Sequence, residues 1–217
     1  MKEQVAYYGG TALRIFYGLD RYSDDLDFSL LKVDPAFSME PYLKGMVAEL
    51  ESLGVKVSVR TKNKTAITAV DSAFLNPDTV WKEVVLHDVI PQEQLRMRMR
   101  PEIKIKIEVD TAPPLGFSTE EKLLLRPFIF YTKCFSLPDL FAGKMHAVLF
   151  RKWKNRVKGR DWYDMEWFIR KGVPLHLDHL IARAIREDGI HFIRDERTVA
   201  IWSPAYFRDL IQHMRVQ

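Results

Sequence analysis

A proline- and glycine-containing stretch, residues 113–116, is the strongest boundary signal in this sequence of 217 residues, because both residue types interrupt regular structure. Before it, apolar and polar residues alternate as in strands, most strictly over residues 101–110. After it, apolar residues recur at helical spacing, and no repeat or low-complexity tract is present. We therefore predict an α+β front half, residues 1–115, and an all-helical back half, residues 116–217.

Each half contains several predicted elements. The front half has predicted helices over 11–17, capped by Thr11 and ended by Gly18, and 41–53, with strands over 26–31, 55–60, 65–70 and 101–110. The back half has predicted helices over 138–154, 160–170, 177–185 and 204–214.

Composition narrows the class of protein. The net charge of +4 and sequence pI of about 9.1 mildly favour a polyanionic partner such as RNA. The single cysteine, Cys134, excludes an internal disulfide and a cysteine-based zinc site. No apolar run approaches the roughly 20 residues of a membrane helix, and the start lacks the apolar core of a signal peptide. We expect a cytoplasmic protein without a membrane partner.

Three aspartates stand directly before the apolar strand-like segment that begins at residue 26. Asp25 and Asp27 are two positions apart, so on a strand they share one side, whereas Asp24 points the other way. Two carboxylates that close repel each other unless a cation joins them. Mg²⁺ suits such a pair, because it prefers a few carboxylates, waters and phosphate oxygens. A solvated loop is the alternative.

A glycine pair precedes the aspartates. Gly9 and Gly10, followed by Thr11 at the start of a predicted helix, would expose backbone N–H groups and the positive end of the helix dipole. That arrangement suits a phosphate, although most glycine pairs are simply turns. Together, the glycines and aspartates have the layout of a site for a nucleotide and a metal.

A third carboxylate would complete the metal site. Glu108 and Asp110 lie on the polar face of the predicted 101–110 strand. If that strand pairs with the 26–31 strand, one of the two reaches Asp25 and Asp27. The alternative is a half-exposed strand with a charged outer face.

Three charged residues stand out in the back half. Lys144 lies in the middle of an apolar helix face, and such a lysine either aims at a phosphate or a carboxylate cluster, or extends to the surface. Asp161 and Asp164 each border an apolar face, where an acid pairs with a base, caps a helix or serves a site. Capping by Asp161 after Gly159 is the main structural alternative.

Basic residues form two clusters that could clamp a nucleic-acid backbone, although most such runs are simply solvated. The clusters are Arg96, Arg98, Arg100, Lys104 and Lys106, and Arg151, Lys152, Lys154, Arg156, Lys158 and Arg160. No histidine shows metal-ligand spacing.

Three segments resemble one known family. They are G-G-T-A-L at residues 9–13, R-Y-S-D-D-L-D-F at 21–28, and Lys144 with K-G-R-D-W-Y-D at 158–164. The chain resembles the AbiEii/AbiGii-type nucleotidyltransferase toxins of the DNA polymerase β-like nucleotidyltransferase superfamily. Such proteins carry a longer helix before the glycine pair than the eight residues present here, which favours an internal or shortened start.

The resemblance implies a front domain with a nucleotidyltransferase-fold mixed sheet and flanking helices, and a helical domain that completes the cleft. It also implies a set of site residues: Gly9, Gly10 and Thr11 with Ser23 for the NTP phosphates, Asp25 and Asp27 as metal ligands, Glu108 or else Asp110 as third carboxylate, Lys144 for phosphate, and Asp161 or Asp164 from the helical domain.

The implied activity is transfer of a nucleotide from an NTP, with Mg²⁺ or Mn²⁺, to an acceptor such as tRNA. The implied role is that of a toxin in a bacterial toxin–antitoxin or phage-defence system, with a cognate antitoxin as partner. Two alternatives stay open: a kinase-like phosphotransferase on the same scaffold, and a non-catalytic nucleotide-binding or antitoxin-binding module.

Overall fold

The structure, a computed structural model, describes residues 4–60, 79–87, 102–125, 129–150 and 159–188. These residues form a mixed α/β protein with seven strands and five helices. In chain order the elements are β1 (Val5–Tyr8), α1 (Gly9–Tyr17), β2 (Leu26–Leu30), α2 (Glu40–Ser52), β3 (Lys56–Arg60), β4 (Thr79–His87), β5 (Ile103–Asp110), β6 (Thr119–Leu124), β7 (Phe130–Phe135), α3 (Leu137–Phe150), α4 (Gly159–Arg170) and α5 (Leu177–Asp188).

Two predicted elements, the strand over 65–70 and the helix over 204–214, lie outside the described residues, as does the end of the predicted 138–154 helix. The chain divides into two compact units. The first comprises Met1–Tyr7 and Tyr22–Pro113, and the second comprises Tyr8–Arg21 and Pro114–Gln217. The later break falls within the proline- and glycine-containing stretch. The sequence-based division at residue 115 differs from this grouping chiefly in the segment Tyr8–Arg21.

The first unit is built on a sheet with the strand order β3-β4-β5-β2-β1. β2 and β5 are parallel, whereas β4 is antiparallel to both β3 and β5. One face of this sheet carries the apolar core, in which Leu30, Val84 and Ile107 pack with Leu43 of α2. The alternation predicted for the 101–110 strand is confirmed on this face, where Ile107 and Val109 are buried.

Strand β4 was not predicted from the sequence, because charged residues interrupt its apolar alternation. Lys82 stands among core-facing positions, yet its ammonium lies 2.7 Å from Glu40 Oε1 of α2 while its side chain is only 14 % exposed. The apolar stem is thus largely covered and the charge reaches the end of the helix, as long basic side chains commonly do. A lysine at a core-facing position is therefore compatible with this strand.

The second unit is not all-helical, contrary to the prediction, because β6 and β7 form an antiparallel pair within it. The sequence analysis predicted no element over β6, in which exposed and half-buried residues alternate along the strand. The three helices α3, α4 and α5 were predicted close to their observed bounds. Phe141 of α3 and Phe168 of α4 stack in this unit with ring centroids 4.8 Å apart.

Of the two predicted end signals of α1, the cap at Thr11 is wrong and the end at Gly18 is confirmed. Thr11 does not cap the helix, because α1 begins at Gly9 with Tyr8 in the capping position. The predicted end at Gly18 is confirmed: its φ of 79° is left-handed, a conformation that favours glycine.

Side-chain contacts explain why Tyr8–Arg21 belongs to the second unit. The Tyr17 hydroxyl lies 2.8 Å from Glu120 Oε1 and 2.7 Å from the Phe135 carbonyl oxygen. Burial raises the pKa of Tyr17, so the phenol keeps its proton. The Tyr163 hydroxyl donates to Asp20 Oδ1 at 2.6 Å. Hydrogen bonds of this kind tie the C-terminal end of α1 and the residues after it to β6, β7 and α4.

His179 of α5 is buried in the second unit with no hydrogen-bond partner for either ring nitrogen among the described residues. It packs edge-on against Phe117 and Phe135, with ring centroids 5.8 and 6.1 Å away. Burial, reinforced by the positive charge of Arg183, lowers the pKa of His179 to about 4. The folded protein therefore holds this imidazole neutral well below the ordinary histidine pKa.

His179 should make the folded state less stable in mild acid. The unfolded chain binds a proton at this residue near pH 6.5, whereas the folded chain does so only near pH 4, so this contribution falls progressively between those values. We expect His179→Phe to lose less unfolding free energy than the wild type between pH 7 and pH 5, measured by urea denaturation. Equal losses in the two proteins would contradict this assignment.

Candidate functional site

The predicted metal-ligating carboxylates lie in the first unit, where Asp27 and Glu108 are on the sheet face opposite the apolar core. Asp27 of β2 is the register partner of Glu108 of β5 in the parallel pairing. Register partners on neighbouring strands project to the same face about 5 Å apart, so these two carboxylates are neighbours. Asp25 stands directly before the strand and is half-buried, as Asp27 is, whereas Asp24 is exposed. The expectation that β5 would pair beside β2 is confirmed.

The register separates the two candidates for the third carboxylate. Glu108 lies beside Asp27, whereas Asp110 lies beside Ser29, two residues further along the strands. Asp110 is 8 % exposed and accepts a hydrogen bond from the Ala112 backbone N–H at 3.0 Å. Glu108 is therefore the better placed of the two to join the aspartates.

Glu108 has a basic neighbour on its own strand. Its Oε1 lies 2.7 Å from the Lys106 ammonium. Positions two apart on a strand share one face, so this contact belongs to the same polar surface as Asp27. A divalent cation held by Glu108 would have to displace this lysine.

The carboxylate oxygens of Asp25, Asp27 and Glu108 are ligands that suit a hard cation such as Mg²⁺, but they are not gathered around one point. Among the described residues, no group of three or more His, Cys, Asp or Glu side chains is gathered so that it could hold a metal ion. Asp25, Asp27 and Glu108 therefore do not form a closed cage. Mg²⁺ commonly takes only one or two carboxylates and completes its shell with waters and substrate phosphates, a requirement that Asp25 and Asp27 can meet.

The glycine pair lies at the start of α1, in the second unit. Gly9 has a φ of 79° and is the first helical residue, so a residue with a side chain would be strained there. No acidic residue lies in the first turn. Gly10 is buried and Thr11 is 5 % exposed. Free N–H groups at a helix start favour anions, and this start carries no carboxylate that would repel one.

Lys144, Asp161 and Asp164 come together in the second unit, as a buried ion cluster. The Lys144 ammonium lies 2.7 Å from Asp164 Oδ2 and 3.6 Å from Asp161 Oδ1. The two aspartates are 2 % and 0 % exposed, and the lysine side chain is 16 % exposed. Of the roles considered for Lys144, the described structure shows the pairing with carboxylates.

Arg21 is the fourth member of this cluster and was not singled out by the sequence. Its Nε and a terminal guanidinium nitrogen donate to the two carboxylate oxygens of Asp164, at 2.5 and 2.6 Å. Hydrogen bonding to Asp164 raises the pKa of Arg21, so the guanidinium stays charged. Its position four residues before Asp25, in the segment that carries the family resemblance, was the only available signal.

Asp161 does not cap helix α4. The helix begins at Gly159, which places Asp161 inside the first turn, where a negative charge is also favourable. Ser23, predicted near the phosphates, is half-buried in the first unit between Arg21 and Asp25 in the sequence. Of the two basic clusters, only Lys104, Lys106 and Arg160 are described residues.

The geometry of the carboxylates and of the α1 start can be set beside known proteins. Two carboxylates side by side on parallel strands can bind a divalent cation, and a helix start without acidic residues can bind an anion. The model of one family, described as nucleotidyl transferase AbiEii toxin of type IV toxin–antitoxin systems, matches residues 2–216. The chain belongs to the AbiEii family. No curated protein matches it.

Two solved structures from Helicobacter pylori are similar to the chain. JHP933 has 17 % sequence identity and a TM-score of 0.45, and the match covers 81 % of this chain and 60 % of that one. A candidate nucleotidyltransferase has 19 % identity and a TM-score of 0.45, with 81 % and 62 % covered. This chain thus spans about three-fifths of the length of either. None of the described helices is long and apolar enough to cross a membrane.

Proposed function

We propose that this protein is a Mg²⁺-dependent nucleotidyltransferase and the toxin of a toxin–antitoxin or phage-defence system, which transfers a nucleotide from an NTP to an acceptor such as tRNA. The observation that carries the proposal is the pairing of Asp27 with Glu108 across two parallel strands. Membership of the AbiEii family supports it. A net charge of +4 suits both an NTP and an RNA acceptor.

Asp25 and Asp27 are proposed as the residues that hold the metal, with Glu108 as the third carboxylate. When bound, Mg²⁺ or Mn²⁺ would neutralise charge that develops on the phosphates during transfer. The first-turn N–H groups of Gly9, Gly10 and Thr11 would bind phosphate oxygens, with Ser23 near them.

Lys144 is proposed to supply a positive charge at the NTP phosphates. In the described structure its ammonium is held by Asp161 and Asp164, and Asp164 is itself held by Arg21. These contacts restrict the lysine to one region, and a preorganised charge in a partly dry site stabilises a transition state better than a mobile one. We infer that the two aspartates act by positioning Lys144.

The reaction would form a bond between an acceptor hydroxyl oxygen and the α-phosphorus of the NTP, with pyrophosphate as leaving group. A cognate antitoxin is the expected protein partner, since the family belongs to toxin–antitoxin systems. A cytoplasmic location is proposed because NTPs and tRNA are both found there.

The test is incubation of the purified protein with total tRNA, Mg²⁺ and each NTP in turn, labelled at the α- or the γ-phosphate. We expect α-label to become attached to RNA and γ-label to leave as pyrophosphate, with no transfer when EDTA is present. Transfer of γ-label instead would establish the kinase-like alternative. Nucleotide binding without transfer of either label, across the panel of NTPs and RNAs, would favour a non-catalytic module.

A further inference from the structure

Trp81 lies in β4 on the polar face of the first unit's sheet, in line with the proposed metal ligands. In the antiparallel pairing of β4 with β5, Trp81 is the register partner of Glu108. Glu108 is in turn the register partner of Asp27 on β2. Because register partners share a face, the tryptophan and the two carboxylates form one row across three neighbouring strands.

Trp81 does not belong to the apolar cluster around Leu30 and Ile107. Its neighbours in sequence, Val80 and Lys82, occupy the core-facing positions, and Val80 packs against the apolar cluster that Trp81 does not join. The indole is partly exposed on a face that carries aspartate, glutamate and lysine and, further along β4, the buried Val85. A partly exposed aromatic ring in line with two carboxylates offers a ligand a flat apolar surface beside polar groups.

Lys106 gives this ring a positively charged neighbour. Its ammonium lies 5.6 Å from the Trp81 ring centroid and 2.7 Å from Glu108 Oε1. A cation at that distance from an indole ring is within cation–π range. Trp81, Lys106 and Glu108 therefore form one connected group, in which an aromatic surface, a positive charge and a carboxylate are adjacent.

We propose that Trp81 is a stacking residue for a nucleobase of the nucleotide whose phosphates bind at Asp25 and Asp27. This inference rests on the proposed function for the identity of that ligand. Trp81 and Asp27 are two strand spacings apart, about 10 Å, a separation that a ribose and its phosphates can span.

The base has two possible sources, the incoming NTP and the end of the acceptor RNA. Both present the same flat π-surface, and stacking on an aromatic side chain tolerates any base. The shared chemistry is thus a nucleobase attached to a phosphate, and the two sources are distinguishable by experiment.

The experiment measures binding of three probes to the full chain: a non-hydrolysable NTP analogue, a short oligoribonucleotide, and inorganic tripolyphosphate, which has no base. We expect Trp81→Ala to weaken binding of one base-containing probe between about 5-fold and about 150-fold. Trp81→Phe should retain most of the affinity, because it keeps an aromatic surface. Binding of tripolyphosphate should not change.

The probe whose binding is weakened identifies the source of the base. Weaker binding of the NTP analogue alone assigns the base of the NTP, and weaker binding of the oligoribonucleotide alone assigns that of the acceptor.

Trp81→Leu, which retains an apolar side chain, replaces the alanine variant if that variant does not fold. Trp167→Phe is the matched control, because Trp167 also has a lysine beside its ring, the Lys171 ammonium at 4.6 Å, and belongs to the second unit rather than to β4. It should bind all three probes like the wild type.

The stacking role of Trp81 and the proposed transfer reaction are overturned by different experimental outcomes. Active transfer together with unchanged binding in Trp81→Ala and Trp81→Leu would overturn the stacking role alone. Trp81-dependent binding without any transfer would overturn the proposed reaction and leave the stacking role intact. Equal weakening for tripolyphosphate, or a wild type that binds neither base-containing probe, would also overturn the stacking role.

Discussion

Asp27→Asn should reduce Mg²⁺-dependent nucleotide transfer on the order of 10³-fold or more. The substitution keeps the size of the side chain and removes the negative charge that would hold the metal beside Glu108. Metal stabilisation of transition-state charge is worth several kcal/mol, and each ~1.4 kcal/mol changes the rate tenfold. The measurement is transfer of α-labelled nucleotide to RNA, with the double variant Asp25→Ala/Asp27→Ala expected to be inactive.

Asp24→Asn is the matched control for this loss. It makes the same chemical change three residues earlier, but Asp24 is exposed and lies outside β2. We expect transfer by this variant to remain within about twofold of the wild type. Thermal unfolding of Asp27→Asn checks that the variant is folded at the temperature of the transfer assay. Wild-type transfer rates in a folded Asp27→Asn protein would refute the assignment of the metal site.

Asp164→Ala should destabilise the folded chain by about 3–5 kcal/mol, the usual effect of removing one partner from a buried ion pair. Asp164 is fully buried and accepts from both Arg21 and Lys144. Its loss would leave two largely buried cations with Asp161 as their remaining acid in the cluster. The measurement is the free energy of unfolding from urea denaturation at pH 7.

Glu166→Ala provides the comparison on the same helix. Glu166 pairs with Arg170 one turn later at 2.7 Å, but that arginine side chain is 64 % exposed. Pairs of this kind contribute about 0.3–0.5 kcal/mol, so this variant should unfold close to the wild type. If Asp164→Ala lost less than about 1 kcal/mol, the ion cluster would not be a stabilising feature of the second unit.

Several features of the fold were predictable because they depend on local patterns. The strict alternation of residues 101–110 predicted both the strand and its buried face, and Gly18 marked the end of a helix through its left-handed conformation. The helices around Lys144, Asp161 and Leu180 followed from apolar spacing. In each case the pattern that predicts the element lies within a short run of consecutive residues.

Other features depended on contacts that no local pattern contains. Strand β4 carries Lys82 at a core-facing position, which is tolerable only because Glu40 of α2 accepts its charge. Strand β6 is polar in sequence and is recognisable only from its pairing with β7. Thr11 looked like a helix cap but lies within the first turn of α1, because the chain enters that helix at the glycine pair.

The candidate site residues were recognisable from their spacing: a glycine pair, a carboxylate pair two positions apart, and a family resemblance that includes both. The register that puts Glu108, and not Asp110, beside Asp27 came from the strand pairing in the folded protein. The folded protein alone revealed Arg21 as the partner of Asp164 and Trp81 as a member of the carboxylate row. Sequence spacing fixes which side of its own strand or helix a residue faces, whereas its neighbours across strands and helices are set by packing of the whole unit.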